Sequence, residues 1–155
     1  MPVAQPVVFY HERRFVLRRN YKSAFSGTAV YTTTINKVPV ADVIKLNLGT
    51  VAENASVYLN GEYIGTVIDS PYQLYIPAEK FKGQDELVVR VANSMANRIA
   101  YMDKKGVDWK IFYNVNMSAR KKENVKNGIF DASDWEPKSS GLLGPVTLTP
   151  AMVKQ

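Results

Sequence analysis

Apolar side chains in this chain recur largely at every second position, in short runs that end at glycine, proline or asparagine. Such alternation marks strands with one buried face, because successive side chains on a strand point to opposite sides. Gly27 to Ile35 (GTAVYTTTI) is dense in β-branched and aromatic residues, which suit a half-buried pleated surface. Val43 to Leu48 (VIKLNL) puts Ile44, Leu46 and Leu48 on one face. Tyr72 to Ile76 (YQLYI), Glu86 to Val91 (ELVVRV) and Val146 to Leu148, just before Pro150, read as further strands. Pro77 to Lys82, followed by Gly83, reads as a single helical turn with a glycine stop.

The sharpest local signal is Val57-Tyr58-Leu59-Asn60-Gly61-Glu62-Tyr63-Ile64. Asn60-Gly61 suits a two-residue type I′ turn, whose two central positions both need positive φ. That register sets Val57 against Ile64 on one face and Tyr58 against Tyr63 on the other. By contrast, Asn93 to Ser140 has little periodicity and holds Trp109, Trp135, Tyr101 and Tyr113. So long an irregular stretch is unusual in a compact domain. It is expected to combine short strands, such as Trp109 to Tyr113 (WKIFY), with long loops at one end of the sheets. Loops at strand ends carry binding function in such folds. Closely spaced short strands without a long amphipathic helix predict an all-β protein, an antiparallel β-sandwich or barrel. No repeat or linker divides the chain, so residues 1–155 are expected to form a single domain.

Composition narrows the chemistry. The chain has 155 residues, 46% hydrophobic and 22% charged, which is ordinary globular usage. It has no cysteine, which excludes disulfides and thiolate metal sites. The net charge is +6. The positives gather at Arg13-Arg14 with Arg18-Arg19, and at Arg120-Lys121-Lys122 with Lys126. Neither cluster belongs to a nucleic-acid motif, so solvated loops and strand edges are expected and no nucleic-acid partner. The start, Met1-Pro2-Val3-Ala4-Gln5-Pro6, lacks the basic end and apolar core of a signal peptide. No apolar run approaches the ~20 residues that cross a bilayer, so no membrane partner is expected.

Several short motifs, in order, carry a resemblance. They are Phe25-Ser26-Gly27-Thr28-Ala29-Val30-Tyr31, Leu46-Asn47-Leu48-Gly49, Ala55-Ser56-Val57-Tyr58-Leu59-Asn60-Gly61, Gly65-Thr66, Ser70-Pro71-Tyr72, Val91-Ala92-Asn93 with Asn97-Arg98, and Gly141-Leu142-Leu143-Gly144-Pro145-Val146. Together they resemble the sugar-binding jelly-roll domain of glycoside hydrolase family 2, and most of all the C-terminal β-sandwich of bacterial α-L-rhamnosidases. The resemblance covers about residues 25 to 148. The sequence departs from the family pattern at Gln73-Leu74-Tyr75-Ile76-Pro77, at Gly83-Gln84-Asp85 in place of Gly-x-Asn, and in the long basic loop after Arg98. The resemblance implies a jelly-roll, galactose-binding-domain-like fold. It also implies a non-catalytic accessory domain of a periplasmic or secreted glycoside hydrolase, partnered by that enzyme's catalytic domain. Such a domain binds an oligosaccharide or polysaccharide or supports the catalytic domain without a ligand of its own. A self-sufficient glycosidase is the third alternative.

The residues themselves offer little catalysis. His11 is the single histidine, and no Gly-x-Ser-x-Gly elbow, phosphate loop or histidine-rich zinc set is present. The tight acidic group Asp131, Asp134 and Glu136 beside Trp135 is open to three readings: a polar surface loop, a structural calcium site, or an acid pair next to a sugar platform. No other cofactor is expected. A pyranose needs an aromatic platform ringed by amide, carboxylate or guanidinium groups. Trp109 with Asp108, Tyr113 with Asn114, and Trp135 with Asp134 fit that demand, and Asn97 and Arg98 are further candidates. Each aromatic also fits a plug between loop and sheet.

Overall fold

The computed structural model describes residues 24–112 and 121–151, together with the backbone of residues 7–9. They belong to two compact units. The first comprises Met1–Arg14, Thr28–Asn93 and Ser140–Gln155, and the second comprises Phe15–Gly27 and Ser94–Ser139.

The first unit is an antiparallel β-sandwich. Its strands are β1 (Val7–Phe9), β2 (Thr28–Ile35), β3 (Val43–Asn47), β4 (Thr50–Ala52), β5 (Asn54–Leu59), β6 (Glu62–Val67), β7 (Gln73–Pro77), β8 (Asp85–Ala92), β11 (Gly141–Gly144) and β12 (Val146–Ala151). One four-stranded sheet runs β1-β12-β3-β7, the other runs β2-β8-β5-β6, and β4 pairs with β11. The alternation read in the sequence is what closes the two sheets. Ile44, Leu46 and Leu148 from one sheet, and Ile35, Val57, Leu59, Leu87, Val89 and Val91 from the other, are buried in one continuous core. The expected single helical turn is a 3₁₀ turn at Ala78–Lys80, with Gly83 at φ +98° behind it.

The Asn60-Gly61 turn forms as read, with φ +52° and +81°, and Tyr58 faces Tyr63. The next pair is different: Val57 opposes Gly65, not Ile64, because a β-bulge leaves Ile64 unpaired. Burial explains the shift. Without the bulge, Thr66 would stand opposite Ala55 in the core. With it, Val67 takes that place and is buried, while Thr66 pairs with Ser56 and their hydroxyls lie 2.7 Å apart. Gly65 then sits where a Cβ would lie 3.1 Å from Leu74.

The motifs around Gly49 and Gly144, far apart in sequence, form a backbone clasp. Gly49 and Gly144 bridge directly, and a Cβ on Gly49 would lie 2.4 Å from the Gly144 carbonyl carbon. Asn47 secures this approach by accepting the Gly49 N–H at 2.9 Å. Nearby, the Tyr31 hydroxyl accepts the Leu142 N–H at 3.1 Å, and a Cβ on Gly141 would lie 2.3 Å from that hydroxyl. At the Gly83-Gln84-Asp85 departure, buried Asp85 accepts hydrogen bonds from the Asn60 amide and from the N–H groups of Lys82 and Gly83. Burial acts to raise the Asp85 pKa, but these hydrogen bonds outweigh it and leave the carboxyl below its ordinary value.

The second unit contains a helix that the alternating pattern does not announce, α1 (Ala96–Lys104), and a small hairpin of β9 (Val125–Lys126) and β10 (Ile129–Phe130). Helix α1 begins without a side-chain cap and ends at Gly106, at φ +64°. There the N–H of Val107 bonds to the Met102 carbonyl and that of Gly106 to the Asp103 carbonyl, a Schellman closure. Trp109 to Phe112 contains no strand, contrary to the expectation for Trp109 to Tyr113. Phe130 and Ala132 are buried, with Ile99, Ala100, Trp109 and Trp135 packed on them. Among the described residues no helix is long and apolar enough to cross a membrane.

Candidate functional site

A groove of about 560 Å³ opens in the second unit. One wall is a face of α1, and the other is the segment from Ser133 to Pro137. Asn97, Ala100, Tyr101 and Lys104 line the helical wall at the i, i+3, i+4 and i+7 spacing that puts side chains on one helix face. Asp134, Trp135 and Glu136 line the facing wall.

Three buried polar groups hold these walls. Asn97 donates its side-chain amide to the Lys138 carbonyl and accepts the Lys138 N–H, both at 2.8 Å. It thereby clamps the strip that carries Trp135 and Glu136. The Asp103 carboxylate, with a side chain only 1% exposed, accepts from Trp109 Nε1 at 2.7 Å, Lys110 Nζ at 2.6 Å and the Ala132 N–H at 2.8 Å. Asn124 Oδ1 accepts Trp135 Nε1 at 2.8 Å, while the Phe130 ring meets the indole edge to face at 5.7 Å. The orientation of Trp135 is therefore fixed from behind, with its N–H satisfied.

The expected site residues divide accordingly. Trp135, Asp134, Glu136 and Asn97 are brought together at the groove. Trp109 is not part of its lining and instead supports Asp103, with Lys110 Nζ 5.3 Å from its ring centre. Asp108 is exposed on the chain that follows α1. Arg98 is also exposed, its guanidinium 6.0 Å from the Tyr101 ring centre. Tyr113 and Asn114 lie outside the described residues, as does His11. The sequence reading missed Tyr101, Lys104 and Asp103. Their signal was the spacing from Asn97, legible only once Ala96–Lys104 is recognised as helical.

Asp131, Asp134 and Glu136 do not converge as a cation site. Among the described residues no group of three or more histidine or acidic side chains is placed to hold a metal. A lysine supplies the positive charge instead: Lys126 Nζ lies 2.9 Å from Asp134 and 3.5 Å from Asp131. The Asp134 hydrogen bond raises the Lys126 pKa. Asp131 accepts the hydroxyl and N–H of Ser133 at 2.5 and 2.9 Å. The Ser133 hydroxyl contributes most to holding the Asp131 carboxyl below its ordinary value, with Lys126 adding its charge.

The described fold and groove thus define an all-β sandwich joined in sequence to a small unit with an aromatic, polar cleft. No protein-family model matches the chain. A Formosa agariphila protein that carries the provisional name beta-glucuronidase is 33% identical over 139 residues, which span 80% of this chain and 12% of that protein. A solved rhamnosidase structure from Novosphingobium sp. PP1Y superposes with a TM-score of 0.63 at 30% identity, covering 81% of this chain and 11% of that one. The chain is therefore similar to a small part of much longer glycoside hydrolases.

Proposed function

We propose that this chain is an accessory part of a larger glycoside hydrolase, its sandwich of the jelly-roll kind, and that the α1 groove binds glycan. The observation that carries the reading is the pairing of Tyr101 and Trp135 with Asn97, Asp134 and Glu136 around one open cleft. An aromatic face suits the C–H side of a pyranose, and the exposed carboxylates of Asp134 and Glu136 suit its hydroxyls, while Asn97 holds the wall that carries them. The similarity to parts of a rhamnosidase and of a provisional β-glucuronidase supports a saccharide as the ligand and a catalytic domain elsewhere in the parent enzyme. The parent's substrates would be met outside the cytoplasm. Affinity would be modest: a millimolar Kd corresponds to about −4 kcal/mol, within reach of one or two rings and a few hydrogen bonds.

Calorimetric titration with a panel of plant and bacterial oligosaccharides tests this reading. Saturable binding should be lost in Tyr101→Ala, a variant that removes a half-buried groove side chain without opening the Phe130 core. Binding that survives Tyr101→Ala would place the ligand elsewhere. No binding by the unmodified chain up to about 10 mM ligand, weaker than the ~−4 kcal/mol level, would leave the chain as an interaction domain without a ligand. The engagement of both indole N–H groups by Asp103 and Asn124 is the observation on that side.

A further inference from the structure

Resting on the groove reading above, we infer that the cleft selects neutral sugars and disfavours their uronic acid counterparts. The inference comes from how its charges are already committed. Among the described residues, three carboxyl side chains and one amine line the groove: Asp103, Asp134, Glu136 and Lys104. Asp103 is buried and fully engaged with Trp109, Lys110 and Ala132, so it offers nothing to a ligand. Asp134 is bridged by Lys126 yet remains exposed, so its free carboxylate edge can accept sugar hydroxyls. Glu136 is exposed and has no ion-pair partner among the described residues. Thus the two acidic groups a ligand meets on the Ser133–Pro137 wall are acceptors aimed at hydroxyl donors.

A uronate carboxylate on that wall would bring like charges together and lose the hydroxyl donor at C6. Specificity of this kind comes from a repulsive element as much as from an attractive one. The cation in the lining, Lys104, is the last residue of α1 and is solvent-exposed, as Asp134 and Glu136 are, so water screens all three alike and one ammonium stands against two carboxylates. Lys110 and Lys126 are held by Asp103 and by the Asp131–Asp134 pair. Among the described residues no guanidinium lines the groove to grip a carboxylate in the bidentate manner that uronate recognition favours. Arg98, the nearest candidate in sequence, is not among the lining residues, and its guanidinium lies 6.0 Å from the Tyr101 ring centre. The groove is therefore suited to donors, although the chain as a whole carries a net charge of +6.

The test uses matched pairs that differ at C6: methyl β-glucoside against methyl β-glucuronide, with the galacto and manno pairs alongside. Titration calorimetry of the full chain at pH 7 should give, for whichever configuration binds, a neutral sugar at least about fivefold tighter than its uronide. The ratio should shrink toward one in Glu136→Gln, an exposed change that leaves the buried hydrogen bonds intact. It should also shrink between about 20 mM and 500 mM NaCl, because the screening length falls to a few ångströms. Uronides that bind as tightly as the neutral sugars, or tighter, overturn the selectivity and leave the groove as a glycan site. A ratio unmoved by both Glu136→Gln and salt also overturns it, since the discrimination would then not be electrostatic. If neither member of any pair binds, nor any oligosaccharide of the broader panel, the groove reading itself fails and the selectivity with it.

Discussion

Glycines separate two kinds of constraint at the residue scale. Gly61 and Gly49 both have positive φ, +81° and +67°, but a Cβ on Gly61 meets nothing within 4 Å, while one on Gly49 strikes the backbone of Gly144. Gly61→Ala should therefore cost only the left-handed penalty of about 1–2 kcal/mol. Gly49→Ala must in addition separate two backbones, and should cost several kcal/mol or prevent folding. Equilibrium urea unfolding of the two variants side by side checks this ordering; equal losses would mean the clasp is unimportant. Asp85 gives a second prediction. Its folded pKa lies below the ordinary value of 3.8, so its stabilising contribution is fully present above that value. It is lost as the pH falls through the lowered folded value. The stability gap between the unmodified chain and Asp85→Asn should be widest near neutrality and should narrow below about pH 4. Urea midpoints at pH 7 and pH 3 measure it, and a gap that widens in acid would contradict the arrangement.

At the scale of elements, α1 is where the groove is made, and Asn97 ties that helix to the opposite wall. Asn97→Ala would leave the N–H and C=O of Lys138 without their partner. The cost should be about 1–3 kcal/mol, the usual penalty for stranded polar groups. Hydrogen exchange at residues 133–138 should quicken, and any glycan affinity should drop as Trp135 and Glu136 lose their anchor; unchanged exchange would show the clamp to be dispensable. The helix also shows why part of the structure was legible in the sequence and part was not. Strand periodicity is carried by the residues that face the core, so Ile44, Leu46 and Leu48 declare β3 and its neighbour, and Asn60-Gly61 declares its turn. The bulge at Ile64 is set by competition between Thr66 and Val67 for the core, which no local signal records. Helix α1 starts at Ala96, after a Met95 that offers no capping side chain, and its groove face of Asn97, Ala100, Tyr101 and Lys104 is not an apolar stripe. Gly106 after Lys104-Lys105 was its readable stop, a weak cue without a matching start. The surroundings of the acidic cluster were hidden for a related reason, since sequence spacing shows three carboxylates but not the Lys126 ammonium that Asp131 and Asp134 share.

Taken as a whole molecule, the two units differ sharply in what holds them together. Among the described residues the sandwich core contains eleven side chains that are at most 2% exposed, from Ile35, Ile44, Leu46, Leu48, Ala55, Val57, Leu59, Ile76, Leu87, Val91 and Leu148. All of them lie within residues 28–93 and 140–155. Among the described residues, the apolar cluster of the second unit buries only Phe130 and Ala132, and Asp103, Asn97 and Asn124 tie its segments together by hydrogen bonds. Hydrogen-bond networks specify geometry, but apolar burial at about 25 cal/mol per Å² supplies most of the drive to fold. Residues 94–139 are the longer of that unit's two segments, and a stretch little longer than the ~40-residue limit, with no cysteine for a disulfide, is poorly placed to fold by itself. Replacing residues 94–139 with a short Gly-Ser linker should therefore leave a cooperatively unfolding β-protein with a strand-type circular dichroism spectrum. Residues 94–139 as an isolated peptide should show neither the dispersed amide signals of a fold nor the α1 helix. If the linker variant collapsed and the peptide folded, the hierarchy would be reversed, and the groove rather than the sandwich would be the independent module. The expected outcome assigns separate tasks to the two parts: the sandwich supplies stability, and the inserted segment can vary its polar lining, and hence its ligand, at little cost to the core.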